Sequence, residues 1–299
     1  MKWYKTVIEK KQVSTDVGRT WADSVPLETR HGRILNEYDT YDECMNTLYR
    51  WAETDEELCD YIFDSGTTKF AVTFDYGDGK LARLGVDYKN NSSDSAITSA
   101  ETEVFKNLEH STVKVEIGSR VTALSGYSFA NFRMDDLITH SNGVSLGKSA
   151  LRFSGVKNLN FDSIISMESG ACYGYTEDVE ISDNSPLTTI PVNCFQYGSM
   201  EHVKIGNGVR TLNQGCFANC GSLKTAEIGS GVTYISSHVF WDCPSMESCK
   251  IHALNPPTLN NSNAFSINNT CKIYVHAASL YKYKKANTWS YLSDRIYPF

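Results

Sequence analysis

The 299-residue sequence contains no apolar run of about eighteen residues, the length that spans a bilayer, so no membrane-inserted segment is expected. Its start, MKWYKTVIEKKQV, lacks the apolar core of a general export leader. The expectation is either a leader already trimmed or a chain that leaves its cell by another route, and the methionine at position 1 favours the second. Excess positive charge is also missing. The formal net charge is -7, which argues against nucleic acid and anionic membranes as partners. No CxxC or HxxH spacing is present, and Asp75 and Asp78 do not have the spacing of an EF-hand loop, so no metal site is expected. The seven histidines are scattered, and no phosphate-binding glycine loop precedes a helix. Catalytic residues and cofactors are therefore expected to be none.

What is present is a repeat. From Met200 the chain reads MEHVKIGNGVRTLNQGCFANC, GSLKTAEIGSGVTYISSHVFWDC, PSMESCKI. Ile205 recurs as Ile228 and Ile251, Leu212 as Ile235, Phe217 as Phe240 and Cys220 as Cys243, each time 23 residues on. A fixed period in the twenties marks a solenoid, whose coils bury their apolar faces only against one another. Traced backward, the strand-end column is Ile117, Ile138, Phe161, Ile181, Ile205, Ile228 and Ile251, with steps of 21, 23, 20, 24, 23 and 23. An aromatic column follows: Phe129, Tyr173, Phe195, Phe217, Phe240 and Phe265, with Leu151 and Phe153 near the vacant place in the coil between Ile138 and Phe161. Leu124, Ile190, Leu212 and Ile235 complete the expected core.

The chain has nine cysteines, so at least one is unpaired or bonds between chains. Cys194 and Cys216 share one repeat position and Cys220 and Cys243 another, and an inward thiol behaves as a small apolar residue. Disulfides are the alternative, and Cys44 and Cys59 are the pair to consider first.

The segment GVTYISSHVFWDCPSMESCKI (231–251) resembles the BspA-like leucine-rich repeat, and KIYVHAASLYKYKKANTWSYLSDRIYPF (272–299) is similar to that family's closing segment. The resemblance covers about Lys69 to Phe299. It implies a mainly β fold: a right-handed leucine-rich-repeat solenoid of ~23-residue coils with one short strand each. It also implies a secreted or surface protein of host-associated bacteria, or of their phages, that works by adhesion.

Three segments are expected: a small N-terminal β module over 1–66, the solenoid over 67–258 and a strand-helix cap over 259–299. In the first, KTVIEKKQV and ETRHGRIL read as short strands. Between them Ser14, Asp16, Gly18 and Trp21 fit the S-x-D-x-G-x-T-W Asp-box of propeller sialidases, where the pattern is a hairpin turn. One copy cannot make a propeller, so the expectation is a structural turn, with glycan hydrolysis a remote alternative. The wider segment resembles small β modules of virion and surface proteins. KFAVTFDYGDGKLARLGV from Lys69 reads as a hairpin, and the polar run from Lys89 as a loop or ragged first coil.

At the far end, Pro256-Pro257 are expected to stop the repeat. A strand over 272–275 and helix over 277–295 come next, with Leu280, Tyr283, Trp289 and Leu292 inward and Tyr281, Lys282, Lys284 and Lys285 outward. On the strands' outer face Glu116, Asn160, Glu180, Lys204, Glu227 and Lys250 precede the strand-end column, and their alternating signs favour pairing between rungs about 4.8 Å apart. The resulting expectation is a non-enzymatic virion protein, a tail or head appendage. Its N-terminal module docks on other virion proteins, and its solenoid meets a host-surface protein or glycan, with homo-oligomerisation possible. A bacterial surface adhesin is the alternative.

Overall fold

A computed structural model of the chain describes residues 3–6, 27–28, 34–38, 66, 68–75, 81–87, 94–106, 111–265 and 271–299. They are mainly β and fall into two compact units, 1–122 with 132–142, and 123–131 with 143–299. Ser14, Asp16, Gly18, Trp21, Cys44 and Cys59 lie outside the described residues.

The first unit is built on seven strands: β1 (Trp3–Thr6), β2 (Leu27–Glu28), β3 (Ile34–Tyr38), β4 (Thr68–Asp75), β5 (Leu81–Asp87), β7 (Ser111–Ile117) and β9 (Met134–Thr139). The short β6 (Ala96–Ile97) and α1 (Ser99–Lys106) also belong to it, while β8 (Ala123–Leu124) belongs to the second unit. The sheet order is β2-β3-β1-β5-β4-β7-β9. β4 and β5 pair antiparallel, Asp75 opposite Leu81, as the alternation from Lys69 requires. β1 pairs with β5 as well as β3, so backbone pairing runs across residue 66, where the sequence alone places a domain boundary.

The end of the polar run that starts at Lys89 opens a helix, Ser99–Lys106. Its start is a capping box: the Glu101 carboxylate accepts from Thr98 N at 2.9 Å and from Thr98 Oγ1 at 3.0 Å. The same carboxylate anchors the fully buried Lys69, whose Nζ lies 2.7 Å from Glu101 and 2.6 Å from Asp94. A buried ammonium needs such partners, and losing one leaves an uncompensated charge. The β7–β9 register pairs Ile117 with Thr139 and Glu116 with Ile138. Ile138 is therefore not a core residue. It is 39% exposed, and Leu137 is buried in its stead. A one-residue slip in a strand reverses the face a side chain takes.

The second unit is a stack of coils. Beyond β8 it contains β10 (Val144–Leu146) and β11 (Ile164–Met167), which form a parallel sheet with it in the order β11-β10-β8. A six-stranded parallel sheet comes next, ordered β12 (Val179–Ile181), β14 (His202–Ile205), β16 (Thr225–Ile228), β18 (Ser248–Ile251), β20 (Lys272–Val275) and β21 (Ile296–Pro298). A narrower sheet contains β13 (Thr189–Ile190), β15 (Thr211–Leu212), β17 (Tyr234–Ile235) and β19 (Thr258–Leu259).

Equal steps in sequence become straight columns in space. Ile181, Ile205, Ile228, Ile251 and Val275 are in register and buried, as are Ile190, Leu212, Ile235 and Leu259. Leu124 and Ile117 are buried in their own sheets. Pro256-Pro257 do not end the repeat. They sit just ahead of β19, where Thr258 N alone donates to Thr233 O at 2.8 Å, and Phe265 continues the aromatic column one coil further. A proline is tolerated at a strand's first residues because its missing N–H is not needed there.

Between the two strands of a coil the chain turns through a segment with its own ladder. Around Phe195, the N–H groups of Asn193, Phe195 and Tyr197 donate to the carbonyls of Gln214, Cys216 and Ala218 in the next coil, at 3.0, 2.8 and 3.0 Å. Every other residue donates, and the residues two before and two after the central one have positive φ. These are Tyr127 and Asn131 around Phe129, Ser149 and Phe153 around Leu151, Gly170 and Gly174 around Cys172, and Asn193 and Tyr197 around Phe195. Gly215 and Asn219 flank Phe217, and His238 and Asp242 flank Phe240. The left-handed region costs an L-residue about 1–2 kcal/mol, least for glycine and asparagine.

That ladder corrects the aromatic column. Tyr173 lies one residue outside it and Cys172 stands in the central slot, as Leu151 does one coil earlier. Phe195, Phe217 and Phe240 stack at 5.2 and 5.6 Å between centroids with interplanar angles of 3° and 12°. Against Cys172 the room is taken from elsewhere: Phe161, in a 3-10 turn rather than a strand, and Tyr175 meet Phe195 edge-on at 5.7 and 6.1 Å. Phe129 and Phe161 are buried like the stacked rings. Burial of such a side chain contributes roughly 1.5–3 kcal/mol.

Cys172, Cys194, Cys216, Cys220, Cys243, Cys249 and Cys271 are free thiols in the core. The Cys220 and Cys243 thiols donate to Phe195 O and Phe217 O, each one coil back, at 3.3 and 3.2 Å. Burial pushes Cys216 and Cys249 well above the ordinary thiol range and Cys271 up to about 11.

The last coil is closed by η turns and α2 (Leu280–Lys285), with Tyr283, Trp289 and Leu292 buried, Leu280 and Lys284 half-buried and Tyr281, Lys282 and Lys285 outward. A helix broken at Thr288 (φ +65°) replaces the single helix expected over 277–295. The cap satisfies carbonyls that a terminal coil leaves bare. Tyr283 Oη donates to Ala253 O at 2.8 Å, Trp289 Nε1 to Pro257 O at 2.7 Å and Arg295 Nη1 to Phe265 O at 2.9 Å. β21 then adds one more parallel strand beside β20, which periodicity did not foretell.

Candidate binding surfaces

Two outward features of the second unit are organised enough to be read chemically. The first is the strand face, where parallel register sets Glu180, Lys204, Glu227 and Lys250 side by side. Lys204 Nζ lies 2.7 Å from Glu180, and one row earlier Lys224 lies 2.6 Å from Glu201. The hydrogen bond to Glu180 raises the Lys204 ammonium pKa, and Glu201 does the same for Lys224. Both pairs stand in water, which screens them.

The expected alternation changes after Glu227. Its carboxylate lies 2.6 Å from His252 Nε2, while the Lys250 ammonium sits 4.3 Å from the centroid of Phe299. Asn160 is on no strand of this face; its side chain caps the 3-10 turn at Asp162 N. Glu116, in the first unit, has Lys114 at 3.6 Å and His140 at 3.7 Å.

The second feature is a cleft of about 290 Å³ where these strands end, lined by Asp183, Lys204, Asn207, Glu227, Ser230, His252 and His276. The residue just past each strand explains it. Gly206 and Gly229 form a floor without side chains, because a Cβ on Gly229 would come 2.7 Å from the Gly206 backbone. The coils approach too closely there for any other residue. Further along, the corresponding positions carry His252, His276 and Phe299, whose rings touch: His276 and Phe299 at 4.6 Å, His252 and Phe299 at 5.4 Å.

The polar rim is largely tied from coil to coil. Asp183 accepts from Asn207 N and Nδ2 at 2.7 and 3.0 Å, and Asn207 Oδ1 accepts from Ser230 N and Oγ at 2.7 and 2.8 Å. The Ser230 hydroxyl is thus held by an amide rather than by an imidazole, which is the arrangement of a rigid rim and not of an activated nucleophile. Among the described residues, no group of three or more His, Cys, Asp or Glu is placed to hold a metal ion, and no helix is long and apolar enough to cross a membrane.

The sequence columns passed over this cleft because its makers, Gly206, Gly229, His252 and His276, are unlike one another. Only their shared place after Ile205, Ile228, Ile251 and Val275 relates them.

Stacked coils with two parallel strand columns, where one short strand per coil was the expectation, a central apolar slot per turn and a capped final coil define a leucine-rich-repeat protein. The chain matches the BspA type leucine rich repeat region in six copies over residues 87–197 and 188–286, and it belongs to that family. The match starts later and ends later than the 67–258 expected for the solenoid. No curated protein matches the chain. Among solved structures it is similar to a leucine rich cell surface protein from Faecalibacterium prausnitzii, at 16% identity and a TM-score of 0.35, covering 60% of this chain and 64% of that one. It is also similar to a leucine-rich repeat protein from Eubacterium ventriosum, at 10% identity and a TM-score of 0.32, covering 70% and 80%. The chain thus spans under two thirds of the Faecalibacterium protein's length.

Proposed function

We propose that this chain is a non-enzymatic attachment protein whose repeat surface binds another macromolecule. The observation that carries the reading is the six-copy repeat itself. Its core takes up the described thiols and the rings of Phe129, Phe195, Phe217, Phe240 and Phe265, leaving outward side chains held at fixed coil spacing over an extended face, the geometry of a binding solenoid. The cleft's carboxylates and hydroxyl are tied in coil-to-coil bonds, which fits recognition better than turnover.

The finer reading places that attachment on a phage particle, with residues 1–66 docking to other virion proteins. It is supported by the resemblance of that segment to virion modules. A bacterial cell surface is the second setting, favoured by the repeat family's resemblance to surface adhesins. Peptide mass spectrometry on density-purified particles and on outer-membrane fractions separates the two settings. Co-purification with capsid proteins is expected for the virion, and recovery only from membranes overturns it. Attachment itself is tested by saturable binding of the labelled full chain to intact cells, competed by unlabelled chain. Binding that never saturates would defeat it.

A further inference from the structure

Three aromatic side chains stand where the turn backbone is left-handed: Tyr127 (φ +60°), Phe153 (+49°) and Tyr197 (+60°). The matching positions of other coils hold glycine, asparagine, aspartate, serine or histidine. A bulky aromatic is among the residues least at ease in this conformation, and burial is the ordinary compensation. Burial does not compensate here, since the three side chains are 44%, 44% and 54% exposed.

Two of them join one patch. The Phe153 ring meets Tyr173 edge-on at 5.3 Å, and Tyr173 meets Tyr197 at 5.4 Å. The Arg152 guanidinium lies 4.8 Å from the Tyr173 centroid and 5.3 Å from that of Phe153. These four side chains come from three consecutive coils, so their spacing is the coil spacing. Their backbones are pinned to the next coil, Phe153 N to Tyr173 O at 2.8 Å and Tyr197 N to Ala218 O at 3.0 Å. The rings are thus held in place before any ligand arrives, which spares ordering entropy on binding.

We propose that Arg152, Phe153, Tyr173 and Tyr197 form a carbohydrate-binding site for an acidic saccharide, one that carries a uronic or sialic acid unit. Aromatic rings give the C–H face of a pyranose a flat apolar seat, and the two phenols offer hydroxyl partners beside it. A guanidinium stacked on rings keeps its N–H edge for a carboxylate, which it grips with two parallel bonds. One arginine matches one acidic sugar. Nucleic acid would instead want several phosphate contacts, against a chain of net charge -7. Three coils span only about 15 Å, the scale of a short oligosaccharide, whereas a stable protein partner covers about 800 Å² per side. The inference rests on the attachment reading and names its ligand.

The test titrates the full chain by calorimetry or ligand-observed NMR with sialyllactose, oligogalacturonate, neutral lactose and hexaglutamate. Tyr197→Asn and Phe153→Asn are suitable variants, because asparagine accepts the left-handed backbone and keeps the fold. Expected is salt-sensitive binding of an acidic saccharide, weakened about tenfold by Tyr197→Asn without a lower unfolding midpoint. With Arg152→Gln the preference for the acidic sugar over its neutral counterpart should vanish. No binding up to about 10 mM, unchanged binding by Tyr197→Asn, or equal binding of hexaglutamate overturns the proposal. Cell attachment separates the two readings: wild type and Tyr197→Asn attaching equally removes the saccharide site and leaves attachment standing, while no attachment by wild type removes both.

Discussion

Within the second unit, the coils from Phe195 to Phe240 and those from Phe129 to Tyr175 solve the same packing problem differently. In the later coils the steps are nearly equal, so like residues meet like, and Phe195, Phe217 and Phe240 stack almost flat. In the earlier coils the central slot passes to Leu151 and Cys172, and Phe161 and Tyr175 reach in edge-on to occupy the remaining space. The turn ladder is the same in both. Backbone bonding therefore sets the coil, and side chains fill it by whichever route the local spacing allows. Regular repetition is sufficient for a core column but not necessary.

The comparison is most severely strained by Phe217→Ala, which removes the middle ring of the regular stack. It should cost about 3–5 kcal/mol and lower the urea midpoint of unfolding accordingly. Cys172→Phe asks whether the irregular coil really lacks room. With Phe161 and Tyr175 already there, an added ring should destabilise by about 1–3 kcal/mol, and a raised midpoint would show that the slot is vacant.

A smaller effect is expected from pH. Burial raises Cys271 to about 11 from an ordinary value near 9, and it raises Cys216 and Cys249 as well. Below pH 9 these thiols are protonated in both folded and unfolded chain and contribute nothing to the pH dependence. From about 9 upward the unfolded chain ionises first, so stability should fall progressively as pH rises toward 11. Unfolding midpoints at pH 8 and pH 10.5 check this, and peptide-resolved alkylation of the native chain should leave these three thiols unmodified at pH 8. Lys204→Ala should leave the midpoint unchanged, since its partner Glu180 stands equally in water. A clear loss would mean that the strand face is not the solvated face it is taken to be.

Much of this was legible where identical steps repeated identical chemistry. Ile205, Ile228 and Ile251, or Phe217 and Phe240, could be placed in the core from spacing alone. Reading faltered by single residues where the steps shortened. Periodicity places Ile138 inward in place of Leu137, and Tyr173 in place of Cys172, because hydrophobicity decides neither when neighbours are both candidates and only backbone register separates them. Phe161 was rightly interior yet wrongly a strand end. The cleft at Gly206, Gly229, His252 and His276 left no periodic trace, since it depends on the residue just past each strand rather than on those that repeat within it. The helix at Ser99–Lys106 did leave one, the Thr98-x-x-Glu101 capping box inside a polar run.

The turn ladder has a consequence for how such a chain changes over generations. In the turns from Phe129 to Phe217 its donors and acceptors are main-chain groups, offered in the same places whatever the side chains. Deleting or duplicating one full turn of the stack returns each backbone group to an equivalent neighbour. A half-turn would leave a row of them facing nothing. The natural unit of variation is therefore the whole coil, and a gene that slips by about 23 codons lengthens or shortens the protein's reach without inventing a new fold.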